Sequence, residues 1–255
     1  RRLRRRACAD PVRQPPDTLV EAAWLAEGVE VVAGMDEVGR GALAGPVTVG
    51  CALVSTSSLT VPFPAGLTDS KLLSATARER IEPAVAGWVL AWGVGHASPA
   101  EIDALGIVGA LRTAGRRALR AAEAAGTTVR AVLLDGSHDW LTPPAQDDLF
   151  AVDDPEDDGV AREVRTLVKG DLRCASVAAA SVLAKQARDR LMGAADARHP
   201  GYGWASNKGY GSADHLAELR RVGPCDEHRR SWRLPARDAA PVGSGAVPGR
   251  AADEG

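Results

Sequence analysis

The chain is poor in aromatic residues, which make up 4% of its 255 residues, and it holds only two methionines and four cysteines. The cysteines stand at 8, 51, 174 and 225, with no CxxC pair and no histidine at ligand spacing, so neither a structural zinc site nor a disulfide framework is expected. Reduced thiols point to a cytoplasmic protein. No run of eighteen apolar residues is present, and the arginine-rich opening RRLRRRACAD is not followed by the apolar stretch of a secretory signal. A phosphate-cradling GxxxxGK[ST] loop is missing as well. The formal net charge is only -2, so any nucleic-acid-binding surface must be local rather than global.

What the chain does have is hydrophobic content, 45% of residues, which at this length supports one good core without requiring two domains. Residues 1 to about 28 read as a disordered basic tail and residues 236 to 255, rich in Pro, Gly and Ala, as a second disordered tail. The stretch QDDLFAVDDPEDDG, 146 to 159, carries seven acids and no base, and reads as a solvated acidic loop pointing away from any cleft. Between these, β-type runs recur at 29 to 35, 46 to 54, 88 to 97, 130 to 136 and 163 to 170. A helix is expected from Ser98, with Pro99 at its first position and Glu101 completing a capping box. Its stripe is Ile102, Leu105, Val108, Leu111, Leu119 and Ala122. A second helix, 176 to 197, has enough small residues to pack closely on a sheet. The alternation predicts one α/β domain, about 29 to 235, with a mixed sheet.

Three apolar runs end in acids: Asp36 and Glu37 after VVAGM, Asp135 after AVLL, and Asp171 after TLVKG. Strand ends are where open α/β sheets place their sites, and carboxylates gathered there repel one another unless a cation joins them. All-oxygen ligation suits Mg²⁺ or Mn²⁺. Taken singly, Asp135 reads first as a turn residue, and Asp171 reads at least as readily as a helix cap as a metal ligand. The adjacent pair is harder to dismiss, because an acid buried without a partner costs several kcal/mol, on the order of 3–5. GRGALAG, 39 to 45, is a weak candidate for a dinucleotide-binding turn, but there the glycines come first and the acid follows about twenty residues later.

Several motifs, in order over about 200 residues, resemble those of the type 2 ribonucleases H, specifically the bacterial ribonuclease HII family. They are GMDEVGRGALAGPV (34 to 47), LTDSKLL (67 to 73), LLDG (133 to 136), VKGD (168 to 171), SVAAASVLAKQARDRLM (176 to 192), GYGWASNKGYGSADH (201 to 215) and EHRRSW (227 to 232). The resemblance implies a ribonuclease H-like mixed sheet flanked by helices, with a small helical C-terminal extension. It implies an endoribonuclease that cuts the RNA strand of RNA–DNA hybrids and nicks 5′ to single ribonucleotides in duplex DNA. Two-metal catalysis would leave 3′-hydroxyl and 5′-phosphate ends.

By the same resemblance Asp36, Glu37, Asp135 and Asp171 match the acidic catalytic positions, the first three being the metal ligands. Gly39, Arg40 and Gly41 match the turn that recognises the ribose 2′-hydroxyl, and Tyr210 the tyrosine that stacks on the sugar. Lys71 is a candidate phosphate contact, whereas Asp69 and Asp189 read as structural caps or ion-pair partners. The sequence departs from the family pattern at Leu72, where a second lysine is usual, and in the long Asp135 to Asp171 interval. From Lys185 to Arg233 ten basic residues face six acids, with Tyr202, Trp204, Tyr210 and Trp232 interleaved, which suggests a duplex-binding face. A monomer is expected.

Overall fold

The computed structural model describes residues 15–143 and 156–238. Five strands form one sheet: β1 (Val31–Val38), β2 (Val47–Ser55), β3 (Ala91–Ala97), β4 (Ala131–Asp135) and β5 (Glu163–Leu167). Their spatial order is β3-β2-β1-β4-β5, with β1 antiparallel to β2, β2 antiparallel to β3, and β1, β4 and β5 mutually parallel. The expected mixed sheet is therefore present.

Alternation along β1 separates two cores. Val31, Ala33 and Met35 face helix α4 (Pro99–Glu123), whereas Val32 faces helix α5 (Ala175–Arg198). Both faces are covered, which is why β1 and β2 read as nearly unbroken apolar runs. Helix α5 lies very close to the sheet: a Cβ added at Gly34 would stand 2.3 Å from the Ser176 carbonyl carbon. Its run Ala175 to Ala184 is buried throughout, as its small residues predict.

The Ser98 capping box forms as expected, with Glu101 N donating to Ser98 Oγ at 3.2 Å and Ser98 N donating to Glu101 Oε2 at 2.8 Å. The predicted stripe on α4 is only partly right. Leu105 is exposed because Gly106, at φ 68°, breaks the helix there and shifts the phase of the residues around it.

Four shorter helices complete the architecture: α1 (Leu19–Ala26), α2 (Thr56–Leu59), α6 (Trp204–Asn207) and α7 (Ala213–Val222). Helix α1 corrects the expected tail boundary at about 28. Trp24 is fully buried in the α5-side core, and the segment leading into the helix pairs with the chain before α5 through Asp17 N to Arg173 O and Ala175 N to Asp17 O. A longer helix, α3 (Ala75–Trp88), was not expected, because Pro83 and a weak apolar stripe hide it; Val85 and Trp88 are its anchors. Helices α6 and α7 form the small C-terminal extension around their own cluster of Tyr202, Trp204 and Leu219.

Most of the acidic stretch 146 to 159, and both terminal tails beyond residues 15 and 238, lie outside the described residues. Where it is described, the acidic stretch is not simply solvated. Glu156 pairs with Arg117 at 2.8 Å and Arg120 at 2.6 Å, Asp157 with Arg116, and Asp158 with Arg162. Three of those arginines belong to α4, so this end is tied to the sheet face opposite α5.

Candidate active site

The parallel register sets Met35 beside Leu134, so the next residues, Asp36 near the end of β1 and Asp135 at the end of β4, stand side by side. Parity sends both toward α5: Asp36 follows Val32 and Gly34, and Asp135 follows Ala131 and Leu133 of the α5-side core. Gly170 N donates to Asp135 Oδ1 at 2.7 Å, which draws the 3₁₀ turn Gly170–Leu172, and with it Asp171, into the same corner. Glu37 follows on β1, its Oε1 accepting from Arg40 Nη1 at 3.3 Å while its Oε2 is buried without a partner. The fold thus collects all four predicted acids at one end of the sheet.

Their electrostatics follow from that crowding. Burial first, then the Asp135 carboxylate, pushes the Asp36 carboxyl well above the usual range, against a Ser181 hydrogen bond. Glu37 is raised by burial although Arg40 opposes it. Asp171 is pushed up to about 6 by burial, with Asp135 and Asp69 adding to it. Lys71 Nζ stands 3.8 Å from Asp171 Oδ2 on a largely exposed side chain. Burial disfavours its charge, but the carboxylates of Asp36, Asp69, Asp171 and Asp135 outweigh that and hold the ammonium firmly protonated. Asp69 caps the 3₁₀ turn Ser70–Leu72, accepting from Lys71 N at 2.8 Å, as its reading as a cap requires. Asp189 likewise pairs with Arg78 and Lys185. Leu72 is half exposed.

The donor set is all oxygen, buried and mutually repelling, with one orphaned carboxylate oxygen; these are the properties that a divalent cation would satisfy. Among the described residues, however, no three His, Cys, Asp or Glu are drawn into a ready coordination group. Lys71 supplies positive charge to the cluster from one side.

Next to the acids lies the turn Gly39-Arg40-Gly41. Gly39 has φ 84°, and a Cβ there would meet the Arg188 guanidinium at 2.1 Å, so no other residue fits. At Gly41 a Cβ would meet nothing within 4 Å. Tyr210 is brought to the same region because Leu43 N and Ala44 N both donate to Gly209 O, at 2.8 and 3.2 Å. Its ring is 40% exposed.

The expected duplex-binding face needs correction. Arg188 and Arg229 are fully buried and Lys185 is held by Asp189, whereas Arg190, Arg198, Arg221 and Arg230 remain on the surface in exposed ion pairs. Tyr202 and Trp204 are also buried, stacked at 5.0 Å beside His215 and His228. Net charge counts along a sequence cannot tell a surface cation from one consumed inside the fold.

Those two histidines are residues that sequence reasoning missed. His228 Nδ1 accepts from Cys225 N at 3.0 Å, His228 Nε2 lies 3.0 Å from His215 Nε2, and His215 Nδ1 lies 2.9 Å from Tyr210 O. One tautomer pattern satisfies every contact: each ring is neutral, and each passes its single proton toward Tyr210. Burial, then the neighbouring His215, pushes His228 down to about 4, and burial lowers His215. Their signal in the sequence was faint, since neither stands at a recognisable ligand spacing.

A mixed five-stranded sheet, with acids collected where its parallel strands end, is the ground plan of the ribonuclease H class of nucleases. Solved structures agree on the fold. The ribonuclease H2 of Pyrococcus horikoshii OT3 superposes with a TM-score of 0.58 at 23% identity, covering 79% of this chain and 93% of that one. The RNase HII of Archaeoglobus fulgidus, solved in complex with PCNA, gives 0.57 at 20% identity, covering 81% and 97%. The ribonuclease HII of Streptomyces avermitilis is 45% identical over 222 residues, 87% of this chain and 85% of its own, and that of Cereibacter sphaeroides is 42% identical over 220 residues, 86% and 91%. The family model for ribonuclease HII matches residues 33–234. The chain belongs to the ribonuclease HII family, and is an endoribonuclease acting on RNA–DNA hybrids.

Proposed function

We propose that this enzyme nicks duplex DNA 5′ to a single embedded ribonucleotide, as well as cutting longer hybrids, by two-metal-ion catalysis. The observation that carries the reading is the joining of two devices: Asp36 and Asp135 side by side next to Asp171, and the open Gly39–Gly41 turn directly after Glu37. Asp36, Glu37 and Asp135 would hold the divalent cations, Mg²⁺ or Mn²⁺. Bound there, such cations would supply positive charge for the scissile phosphate and lower the pKa of a water so that it could attack as hydroxide. An RNase HIII solved with Mn²⁺ has this fold, with a TM-score of 0.55 at 21% identity.

The chain's own groups do the remaining work. Lys71 keeps its ammonium beside Asp171 and meets a phosphate oxygen of the substrate strand. Asp171, whose carboxyl burial raises to about 6 in the metal-free protein, stands where it would pass a proton to or from water beside the cations. The free amides of Arg40 and Gly41, which have no acceptor among the described residues, reach the 2′-hydroxyl, the one ribose-specific group in the strand. The open space over Gly41 admits the sugar, and Tyr210 stacks on it. Hydrolysis then leaves a 3′-hydroxyl and a 5′-phosphate.

We assign these residues to one catalytic unit, working as a monomer in the cytoplasm. Among the described residues no helix is long and apolar enough to cross a membrane. The test is a duplex with one ribonucleotide, set beside all-DNA and all-RNA duplexes, in Mg²⁺ or Mn²⁺ and in chelator. Metal-dependent nicking 5′ to the ribonucleotide supports the reading; cutting of the all-DNA control sinks it.

A further inference from the structure

Arg188 on α5 and Arg229 near the C-terminal end of the described chain are both 0% exposed, and among the described residues no carboxylate lies within ion-pair distance of either. Two buried cations near one another are a costly arrangement, and burial followed by mutual repulsion pushes Arg229 down to about 9. Their compensation is a set of backbone carbonyls. Arg229 donates to Gly39 O at 2.6 Å, Arg40 O at 2.9 Å and Gly45 O at 3.1 Å. Arg188 donates to Pro46 O at 2.9 Å, Ala44 O at 3.2 Å and, on a different loop, Lys208 O at 2.8 Å. Its guanidinium also lies 5.7 Å from the Tyr210 ring centroid.

An apolar side chain of similar volume would fill either space with less desolvation. What it would not do is take up the carbonyls of residues 39, 40, 44, 45 and 46 together. With those oxygens drawn inward, the turn presents the amides of Arg40 and Gly41 outward, unmatched by the protein. Arg188 in addition ties that turn to the loop carrying Tyr210, two residues beyond Lys208. The planar five-donor fork suits such a task; an ammonium, with one compact centre, cannot span the same carbonyls.

We infer that Arg188 and Arg229 form a positioning clamp that sets ribose selectivity, by fixing the Gly39–Gly41 amides and Tyr210 at one spacing around the sugar. The inference rests on the ribose-reading role proposed above for that turn. Neither arginine touches the substrate; each acts through backbone that does.

The test separates the ribose reading from general duplex affinity. Binding is measured in chelator, where nothing is cut, to two duplexes that differ only in one ribonucleotide. The wild-type protein, Arg188→Lys and Arg229→Lys are compared, with thermal melts as a check on folding. Wild type binds the ribonucleotide duplex more tightly. Each folded lysine variant keeps its all-DNA affinity, yet its preference for the ribonucleotide falls about tenfold, the loss of roughly one well-placed hydrogen bond. A folded lysine variant that retains the full preference overturns the clamp, and so does loss of fold by both, which would make the arginines a matter of stability alone. Equal binding of both duplexes by the wild type overturns the ribose reading itself, and the clamp's role with it.

Discussion

Replacing Asp171 by asparagine should make the metal-free protein more stable at neutral pH. The carboxyl is pushed from an ordinary 3.8 to about 6, chiefly by burial and then by Asp135 and Asp69, and the attraction to Lys71 is already contained in that net shift. A raised carboxylate pKa means that the native state holds a proton which the unfolded chain has released. Stability is therefore lost as pH rises from about 4 to about 6, and the whole penalty is present at pH 7. Two pKa units correspond to ~3 kcal/mol at full strength. Solvent reaches this corner along the Lys71 side chain, which is 62% exposed, and screens the interaction. About 1–2 kcal/mol is the expected gain for Asp171→Asn, or about 3–6 °C in Tm for a domain of this size. The measurement is urea unfolding in chelator at pH 7 and pH 4, wild type against variant. The gain should be present at pH 7 and absent at pH 4. An asparagine variant less stable at pH 7, or a difference that is the same at both pH values, would refute the reasoning that crowded carboxylates destabilise the site.

The histidine pair should show the opposite sign. Because His228 is pushed down to about 4, the unfolded chain takes up protons first, so stability is lost as pH falls from about 6.5 through 4, by about 2–3 kcal/mol in total. His228→Gln should flatten that slope in urea midpoints measured against pH, and an unchanged slope would remove His228 as the cause. Asp135→Asn keeps an oxygen for Gly170 N, so hybrid binding in chelator should persist while turnover with Mn²⁺ falls at least about 100-fold; normal turnover would take Asp135 out of the site. Gly34→Ala drives a methyl into the Ser176 backbone and should cost about 1–3 kcal/mol in chemical unfolding, whereas an unaffected midpoint would mean that α5 can retreat from the sheet.

Much of the fold was open to reading because local patterns and global fold agree there. The apolar runs at β1, β2 and β4 are strands buried on both faces, and the small residues of 175 to 184 belong to a helix that must lie close to glycine-bearing strands. Helix α3 was not legible, since Pro83 interrupts its pattern and only Val85 and Trp88 are buried apolar residues. In the site, the acids were visible as charges ending greasy strands, although Asp135 and Asp171 taken singly also read as turn and cap residues. Their meeting in space was not, because it depends on the β1–β4 register and on the Gly170 hydrogen bond, which link residues about 100 and 35 positions apart.

By itself the sequence pointed to the family and offered the four acids and the glycine turn as site candidates, since these are carried by residue identity at fixed local spacing. Tertiary structure alone decided which charges face outward. Arg188, Arg229, Tyr202 and Trp204 lie in segments that read as a basic, aromatic binding surface, yet all four are buried. The physical reason is that burial is a property of packing between distant segments. A guanidinium can be either a phosphate contact or an internal clamp, and only the carbonyls around it decide which.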